Sequence, residues 1–158
     1  MFKNSAEIFA FIKKEDVKLV DVRFTDLPGI QHHFNVPVES FDEAVFTDGL
    51  MFDGSSIRGF QSINESDMKL LPVPQSAFMD PYRKEKTLVI IFSVHNPVDN
   101  TPYSRDPRGV VAKAVEYMRS LGIADTAFFA PEAEFYVFDS VRFKTGINSA
   151  VHEIESYE

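Results

Sequence analysis

Acidic side chains in two segments of this 158-residue sequence could carry chemistry. The first segment reads FDGSS, from Phe52 to Ser56, and it places Asp53 beside turn-forming Gly and Ser. Such tetrapeptides commonly do no more than satisfy their own backbone. Here, however, large apolar residues flank the polar tetrad and should hold the loop against a core: Met51, Phe52, Ile57 and Phe60. A loop held in this way can fix the Asp53 carboxylate where it attracts a cation or accepts a proton.

The second segment, FFAPEAEFYVFD at residues 128–139, contains Glu132 and Glu134. On a strand these two side chains share one face, with their positions roughly 6.5–7 Å apart. Carboxylates at that spacing suit divalent cations, and oxygen ligands favour Mg²⁺ or Mn²⁺. The alternative is a solvated strand face that carries two acids. The same face continues into Tyr136 and Phe138, however, and acids beside an apolar row are costly to bury unless a metal neutralises them.

Hydrophobic periodicity and turn signals predict the elements that must position these acids. Asn4 and Glu7 have the spacing of a capping box that begins a helix. Asp106 and Pro107 are a good N-cap and first residue for a second helix. Residues 47–66 are rich in Gly, Ser, Asp and Asn and predict a long loop. The predicted helices cover 5–15, 40–46 and 107–121, and the predicted strands cover 17–25, 30–36, 87–94, 127–129 and 133–143.

Net charge and the lack of long apolar runs exclude several classes of partner. The formal net charge of −8 argues against a nucleic acid, because phosphate binding needs clustered Lys and Arg. The longest apolar run, Leu88 to Phe92, is far shorter than the ~20 residues of a membrane helix. The sequence has no Cys, so thiolate metal sites are impossible, and a reducing cytoplasm is the simplest location.

Several charged residues outside these two segments are assigned no chemistry. Neighbours on a strand face opposite sides, so His32 and His33 cannot chelate one ion together. Asp21 and Asp26 flank the predicted hairpin and are expected to be solvated or to cap it. Residues 105–108 are most simply the entry to the second helix, and Arg105 or Arg108 could pair with an acid at a subunit contact.

Both acidic segments resemble motifs of the glutamine synthetases. The FDGSS motif, followed by Glu65-Ser66-Asp67 and Leu70, resembles the amino-terminal signature of that family. The run PEAEF at 131–135 is similar to the Pro-Glu-x-Glu-Phe pattern of the family's first catalytic-domain strand. Two further segments resemble actinobacterial members of type I: VDVRFTDLPGIQHHF at 20–34 and YSRDPRGVVAKAVEYM at 103–118.

The resemblance implies an α+β fold in two parts. A β-grasp domain is expected over residues 1–104, and residues 105–158 are expected to be the first helix and strands of a truncated catalytic domain. The resemblance weakens beyond residue 143, and residues 144–158 are expected to be poorly ordered.

The resemblance also implies an activity, the ATP-dependent ligation of ammonia to L-glutamate through γ-glutamyl phosphate. By this resemblance Asp53 helps to bind ammonium and to withdraw its proton in a neighbouring subunit's active site, and Ser56 contributes more weakly. Glu132 and Glu134 bind Mg²⁺ or Mn²⁺, and ATP is a substrate. Full-length members are expected to form dodecamers of two hexameric rings in the cytoplasm, without nucleic-acid or membrane partners.

The rest of the family's machinery, including the ATP pocket and the glutamate-binding Arg residues, lies further along the chain than residue 158. The 158-residue chain is therefore expected to be inactive alone. The alternative is a non-catalytic β-grasp module that docks on full-length glutamine synthetase or regulates it.

Overall fold

The computed structural model describes residues 1–157. Contacts within the chain divide it into two compact units, Met1–Asp125 and Thr126–Glu158. None of the described helices has both the length and the apolar character that crossing a membrane requires. We expected a boundary between two family domains at residues 104 and 105. The division into compact units is a different measure and does not test that boundary, which stays a prediction.

The first unit combines three α-helices with one six-stranded sheet. Its elements are α1 (Ser5–Glu15), β1 (Leu19–Thr25), β2 (Gln31–Pro37), α2 (Ala44–Thr47), β3 (Leu50–Asp53), β4 (Asp67–Pro72), β5 (Phe78–Met79), β6 (Thr87–His95) and α3 (Pro107–Ser120). The strand order is β2-β1-β6-β4-β3, and β5 also pairs with β6. β1 and β6 are parallel and every other pair in this sheet is antiparallel, so the sheet is mixed.

Helix α1 begins and ends at local signals. The Asn4 side chain accepts a hydrogen bond from the Glu7 amide at 3.0 Å, and Asp16 adopts a left-handed conformation with φ of 54° that ends the helix. The helix buries Ile8 and Ile12. The predicted bounds of this helix are therefore confirmed.

Alternation along β1 and β6 sends one set of side chains into the core that α1 covers. In β1 the buried apolar residues are Val20, Val22 and Phe24. In β6 the core residues have the same parity: Leu88, Ile90, Phe92 and Val94. Burying each such side chain contributes about 1.5–3 kcal/mol, so the β1–β6 pair carries much of the stability of this unit.

Two acids, one in β1 and one directly after it, are buried. Asp21 is fully buried, and its carboxylate accepts from Arg23 Nε at 2.8 Å and contacts His33 Nδ1 at 2.9 Å. Asp26 is also buried, and it contacts His32 Nε2 at 2.8 Å. Each histidine thus meets a different acid, which agrees with their predicted opposite orientations. The two aspartates are therefore not solvated, but Asp26 does cap the hairpin, because its carboxylate accepts from the Ile30 amide at 2.7 Å.

Hydrogen bonds decide the charge state of Asp26. Burial of its carboxyl opposes ionisation, but hydrogen bonds from His32 and from the Ile30 and Gly29 amides outweigh burial and lower the pKa of Asp26. The folded hairpin therefore favours the ionised form of Asp26.

Residues 40–72 contain more regular structure than the sequence predicted. The predicted helix over 40–46 is instead a 3₁₀ turn at Val38–Ser40 followed by α2. The predicted loop over 47–66 contains β3, and the unpredicted strand β4 follows it. Among the described residues β3 pairs only with β4, and β4 pairs with the distant β6, so these strands depend on partners that local patterns do not reveal.

The second unit contains one hairpin, formed by β7 (Ser140–Gly146) and β8 (Ser149–Glu155). Residues 126–138 lie outside regular secondary structure, so the strand predicted over 127–129 and the first part of that over 133–143 are wrong. The pairing of β7 begins only at Ser140, opposite Glu155 of β8. The expectation of poor order for residues 144–158 is also wrong for the residues among them that belong to β7 and β8.

Asp106 joins the end of β6 to the beginning of α3. One carboxylate oxygen accepts from the Arg108 amide at 2.9 Å and caps the helix. The other oxygen accepts from the buried Val94 amide, also at 2.9 Å. Asp106 is 2% exposed, so water cannot replace either hydrogen bond.

We expect Asp106→Ala to lower the free energy of unfolding by about 2–4 kcal/mol, since it removes a helix cap and leaves a buried amide unpaired. Urea unfolding followed by circular dichroism measures the change. The control is Asp48→Ala, at an exposed aspartate, which should change stability by less than about 0.5 kcal/mol. Equal losses in the two variants would contradict the joining role of Asp106.

Candidate functional site

The Asp53 carboxylate lies at the surface, held in a tight turn that follows β3. The chain leaves β3 at Asp53 and forms a 3₁₀ turn over Gly54–Ser56. Oδ1 of Asp53 accepts from the Ser55 amide at 2.8 Å and from the Ser55 hydroxyl at 2.6 Å. Oδ2 accepts from the Ser56 hydroxyl at 3.2 Å. Three donors therefore fix the orientation of a carboxylate that remains exposed to solvent.

These donors also set the charge of Asp53. Hydrogen bonds from the Ser55 hydroxyl and amide lower the pKa of Asp53 and outweigh the opposing effect of desolvation, and Ser56 adds a smaller lowering. Asp53 is therefore ionised at neutral pH. An ionised, oriented and exposed carboxylate is suited to binding a small cation from solvent.

Gly54 holds the turn close against β4. Its amide donates to the Ser66 carbonyl at 2.6 Å, and the residue is buried. A Cβ at this position would lie 2.5 Å from Cγ of Met68 and 3.1 Å from the Ser66 carbonyl oxygen. Any larger residue would push the turn away from β4, so the approach requires glycine.

The apolar residues around the turn hold the loop largely as the sequence predicted. Ile57 and Phe60 are buried in the core cluster. Phe52 packs against Phe24, with ring centroids 4.9 Å apart. Met51, in contrast, is 55% exposed and does not pin the loop. Asp53 therefore lies between fixed residues on both sides.

Glu132 and Glu134 both lie in the extended segment 126–138 of the second unit, and both are exposed. The rings of Tyr136 and Phe138 stack with centroids 6.0 Å apart and planes at 5°. Rings two residues apart stack in this way when they lie on one side of an extended chain. This alternation favours the same side for the two glutamates as well, although the segment is not a strand.

The donors of Glu132 and Glu134 fit a hard divalent ion, since both offer only carboxylate oxygens. Within residues 1–157 neither carboxylate makes a hydrogen bond or an ion pair, so both are available as ligands. The same part of the chain contains no group of three or more acids or histidines that could hold a metal. The pair could thus supply part of a coordination sphere.

The structure brings Asp53 and Ser56 into contact, and it adds Ser55, which the sequence argument did not select. Ser55 makes two hydrogen bonds to Asp53, both shorter than that from Ser56. The sequence did contain a signal for Ser55, because Asp side chains commonly accept a hydrogen bond from the amide two residues further on. The catalytic role of Asp53 and Ser56 and the metal role of Glu132 and Glu134 stay predictions.

We expect Ser55→Ala to raise the pKa of Asp53 towards its ordinary value, because the strongest hydrogen bond to the carboxylate is lost. Ser56→Ala should raise it less, since its hydrogen bond is longer. Carboxyl-carbon NMR titration of the 158-residue chain measures both shifts. Ser62→Ala, in the same loop, is the control, and an Asp53 pKa equal in all four proteins would refute this account of its charge.

Comparison with protein families identifies both parts of the chain. The family described as "Glutamine synthetase, beta-Grasp domain" matches residues 16–97, and "Glutamine synthetase, catalytic domain" matches residues 104–158. A solved structure, the cryo-EM glutamine synthetase of Plasmodium falciparum, superposes with a TM-score of 0.78 at 23% identity. It covers 99% of this chain and 30% of that one, and at this identity it supports the fold alone.

Curated relatives carry the same name at much higher identity. A glutamine synthetase of Frankia alni is 55% identical over 158 residues, which is all of this chain and 33% of the relative. One of Mycolicibacterium smegmatis is 58% identical over 154 residues, or 98% of this chain and 32% of the relative. The chain thus spans about a third of the length of these relatives. Since the β-grasp match alone covers more than half of the chain, the expected fold is confirmed and the chain belongs to the glutamine synthetase family.

Proposed function

We propose that this chain acts as the front part of a longer glutamine synthetase, which ligates ammonia to L-glutamate through γ-glutamyl phosphate and uses ATP as a substrate. In this proposal Asp53 binds the ammonium ion, and Ser55 and Ser56 orient it. The observation that carries the proposal is the Asp53 carboxylate, ionised, exposed and held by three hydrogen bonds.

The chemistry of ammonium explains why such a carboxylate is needed. Ammonium has no lone pair, so it cannot attack an acyl phosphate until a proton leaves. A carboxylate offers about four lone-pair positions, and Ser55 and Ser56 occupy three of them at Asp53. The remaining position can accept an N–H of ammonium. Because its pKa is lowered, Asp53 holds the ammonium cation well but binds a proton weakly. We therefore expect Asp53 to pass on the proton that it takes from ammonium.

Glu132 and Glu134 are proposed to hold Mg²⁺ or Mn²⁺. Their oxygen donors favour these hard ions, and the chain contains no Cys to favour a softer one. Such an ion, when bound, offsets the negative charges of the phosphoryl group and the glutamate carboxylate. The two glutamates in turn orient the ion and are neutralised by it.

Subunit assembly is a further part of the proposal. Asp53 is exposed on the surface of its own unit, as a residue that acts in a neighbouring subunit's active site must be. We propose the ring assembly of the family, a dodecamer of two hexamers in the cytoplasm, with a β-grasp domain over residues 1–104 and the start of the catalytic domain over 105–158.

A chimera tests the role of Asp53. This chain replaces the matching third of the Frankia alni relative, and glutamine formation is measured at varied ammonium. Because charge attraction and proton removal are both lost, we expect Asp53→Asn to lower kcat/KM for ammonium by about 100-fold or more. The KM for ATP should change little.

Asp99→Asn is the matched control for this experiment. Asp99 is exposed and accepts from the Thr101 amide at 3.0 Å and hydroxyl at 2.8 Å, an arrangement like that of Asp53. The control should keep its ammonium kinetics, and the purified 158-residue chain should form no glutamine. Unchanged ammonium kinetics in Asp53→Asn would refute the proposal.

The metal role of the two glutamates is tested in the same chimera. We expect Glu132→Gln and Glu134→Gln each to weaken Mn²⁺ binding by about 100-fold or more, since even changes beside direct ligands cost 10–100-fold. Electron paramagnetic resonance measures free Mn²⁺ without requiring turnover. Glu116→Gln, at an exposed position of α3, is the control. Equal Mn²⁺ affinity in all variants would remove the metal assignment.

A further inference from the structure

Two side chains just before α3 hold the far end of the Asp53 loop. The Tyr103 hydroxyl donates to the Phe60 carbonyl at 2.7 Å. One guanidinium nitrogen of Arg105 donates to the Gly59 carbonyl at 2.7 Å and to the Phe60 carbonyl at 2.8 Å. The rings of Tyr103 and Phe60 also pack edge to face, with centroids 5.2 Å apart. We call this pair of residues the Tyr103–Arg105 clamp.

The clamp donates hydrogen bonds to the carbonyls of Gly59 and Phe60, which accept none from within the loop. Gly59 has φ of 83°, a left-handed conformation at which the chain reverses. Phe60 is 2% exposed, so its side chain is committed to the core while its carbonyl needs a donor. Arg105 thus donates to backbone carbonyls of its own chain, a contact that the sequence analysis did not predict.

A continuous series of hydrogen bonds connects the clamped residues to the turn of Asp53. The Phe60 amide donates to the Ile57 carbonyl at 3.1 Å. The amides of Ile57 and Gln61 both donate to the Gly54 carbonyl, at 3.2 and 3.4 Å. Gly54 directly follows Asp53. A displacement of Phe60 would therefore reach the Asp53 carboxylate through these hydrogen bonds.

The clamp is itself attached to the central strand. The Tyr103 amide donates to the Val94 carbonyl at 2.9 Å, and Asp106 accepts from the Val94 amide. Tyr103 is 6% exposed and belongs to the core cluster. The clamp therefore ties the loop to β6 at the point where the match to the catalytic domain begins, at residue 104.

We infer that Tyr103 and Arg105 are positioning residues for Asp53, holding the loop so that its carboxylate keeps one orientation for an incoming ammonium ion. This inference rests on the proposed function for its purpose, but the contacts that carry it are independent of the activity. Neither residue touches the carboxylate, so both act through Gly59 and Phe60.

The test removes the clamp from the 158-residue chain. Tyr103→Phe keeps the ring and removes the hydroxyl, and Arg105→Met keeps the stem and removes the donors. In the double variant we expect amide exchange at Ser55 and Ile57 to be about ten-fold faster or more, since three hydrogen bonds are lost. The carboxyl titration of Asp53 should move towards that of an unstructured aspartate. Arg105→Lys, which keeps a cationic donor, should restore part of both.

Controls separate a local effect from unfolding. Slow exchange at Ile90 of β6 shows that the core is intact. Arg58→Met and Tyr82→Phe, at exposed positions, should leave Ser55 exchange and the Asp53 titration unchanged. If the double variant loses protection at Ile90, the single Arg105→Met variant decides by the same two measurements.

Unchanged Ser55 exchange and an unchanged Asp53 titration, in a variant that keeps Ile90 protected, would overturn the inference. This result differs from failure of the proposed function, which appears as unchanged ammonium kinetics in Asp53→Asn. In the chimera, clamp variants should raise the KM for ammonium while the KM for ATP stays constant, as expected of residues that act through Asp53 alone.

Discussion

Strand β6 lies at the centre of the sheet in the first unit and is hydrogen-bonded to three of its other strands. It pairs in parallel with β1 on one edge and with β4 and β5 on the other. Its side chains alternate into the core that α1 covers, and its last residues bond to Tyr103 and Asp106. β4 in turn supports β3 and the turn that contains Asp53. The position of the candidate site therefore depends on a strand that contributes no residue to it.

The aspartates of this unit serve different purposes because their exposure differs. Asp21 and Asp106 are buried, and their oxygens bond to groups that hold strands and helix together. Asp53 has similar hydrogen bonds but remains open to solvent, so one side of its charge is free for a cation. Asp99 is likewise exposed and accepts from the amide and the hydroxyl of a residue two positions further on. The Asp53 turn differs in structure by the close approach of Gly54 to β4 and by the clamp on Phe60.

The second unit offers a different arrangement of acids. Glu132 and Glu134 lie in an extended segment without regular structure, where alternation alone favours a common side. Within residues 1–157 neither carboxylate has a partner, and two such like charges repel each other unless a cation lies between them. The donors to Asp53 lie within three residues of it, whereas Glu132 and Glu134 have no donors within residues 1–157.

The sequence by itself determined the features whose causes are local. The Asn4 N-cap of α1, the Asp-Pro entry to α3 and the turn around Asp53 involve residues within four positions of one another, and they formed where the sequence predicted. The second bond of the predicted capping box differs, because the Glu7 side chain accepts from the Lys3 amide rather than from that of Asn4. The serine donors to Asp53 were equally local, so Ser55 could have been found. Only the tertiary structure decided the rest: β3 and β4 exist because β6 offers an edge, and Asp21 and Asp26 are buried because partners surround them. The clamp of Tyr103 and Arg105 on Phe60 joins residues more than forty positions apart. Contacts of that kind depend on how the chain packs, and a local pattern carries no record of them.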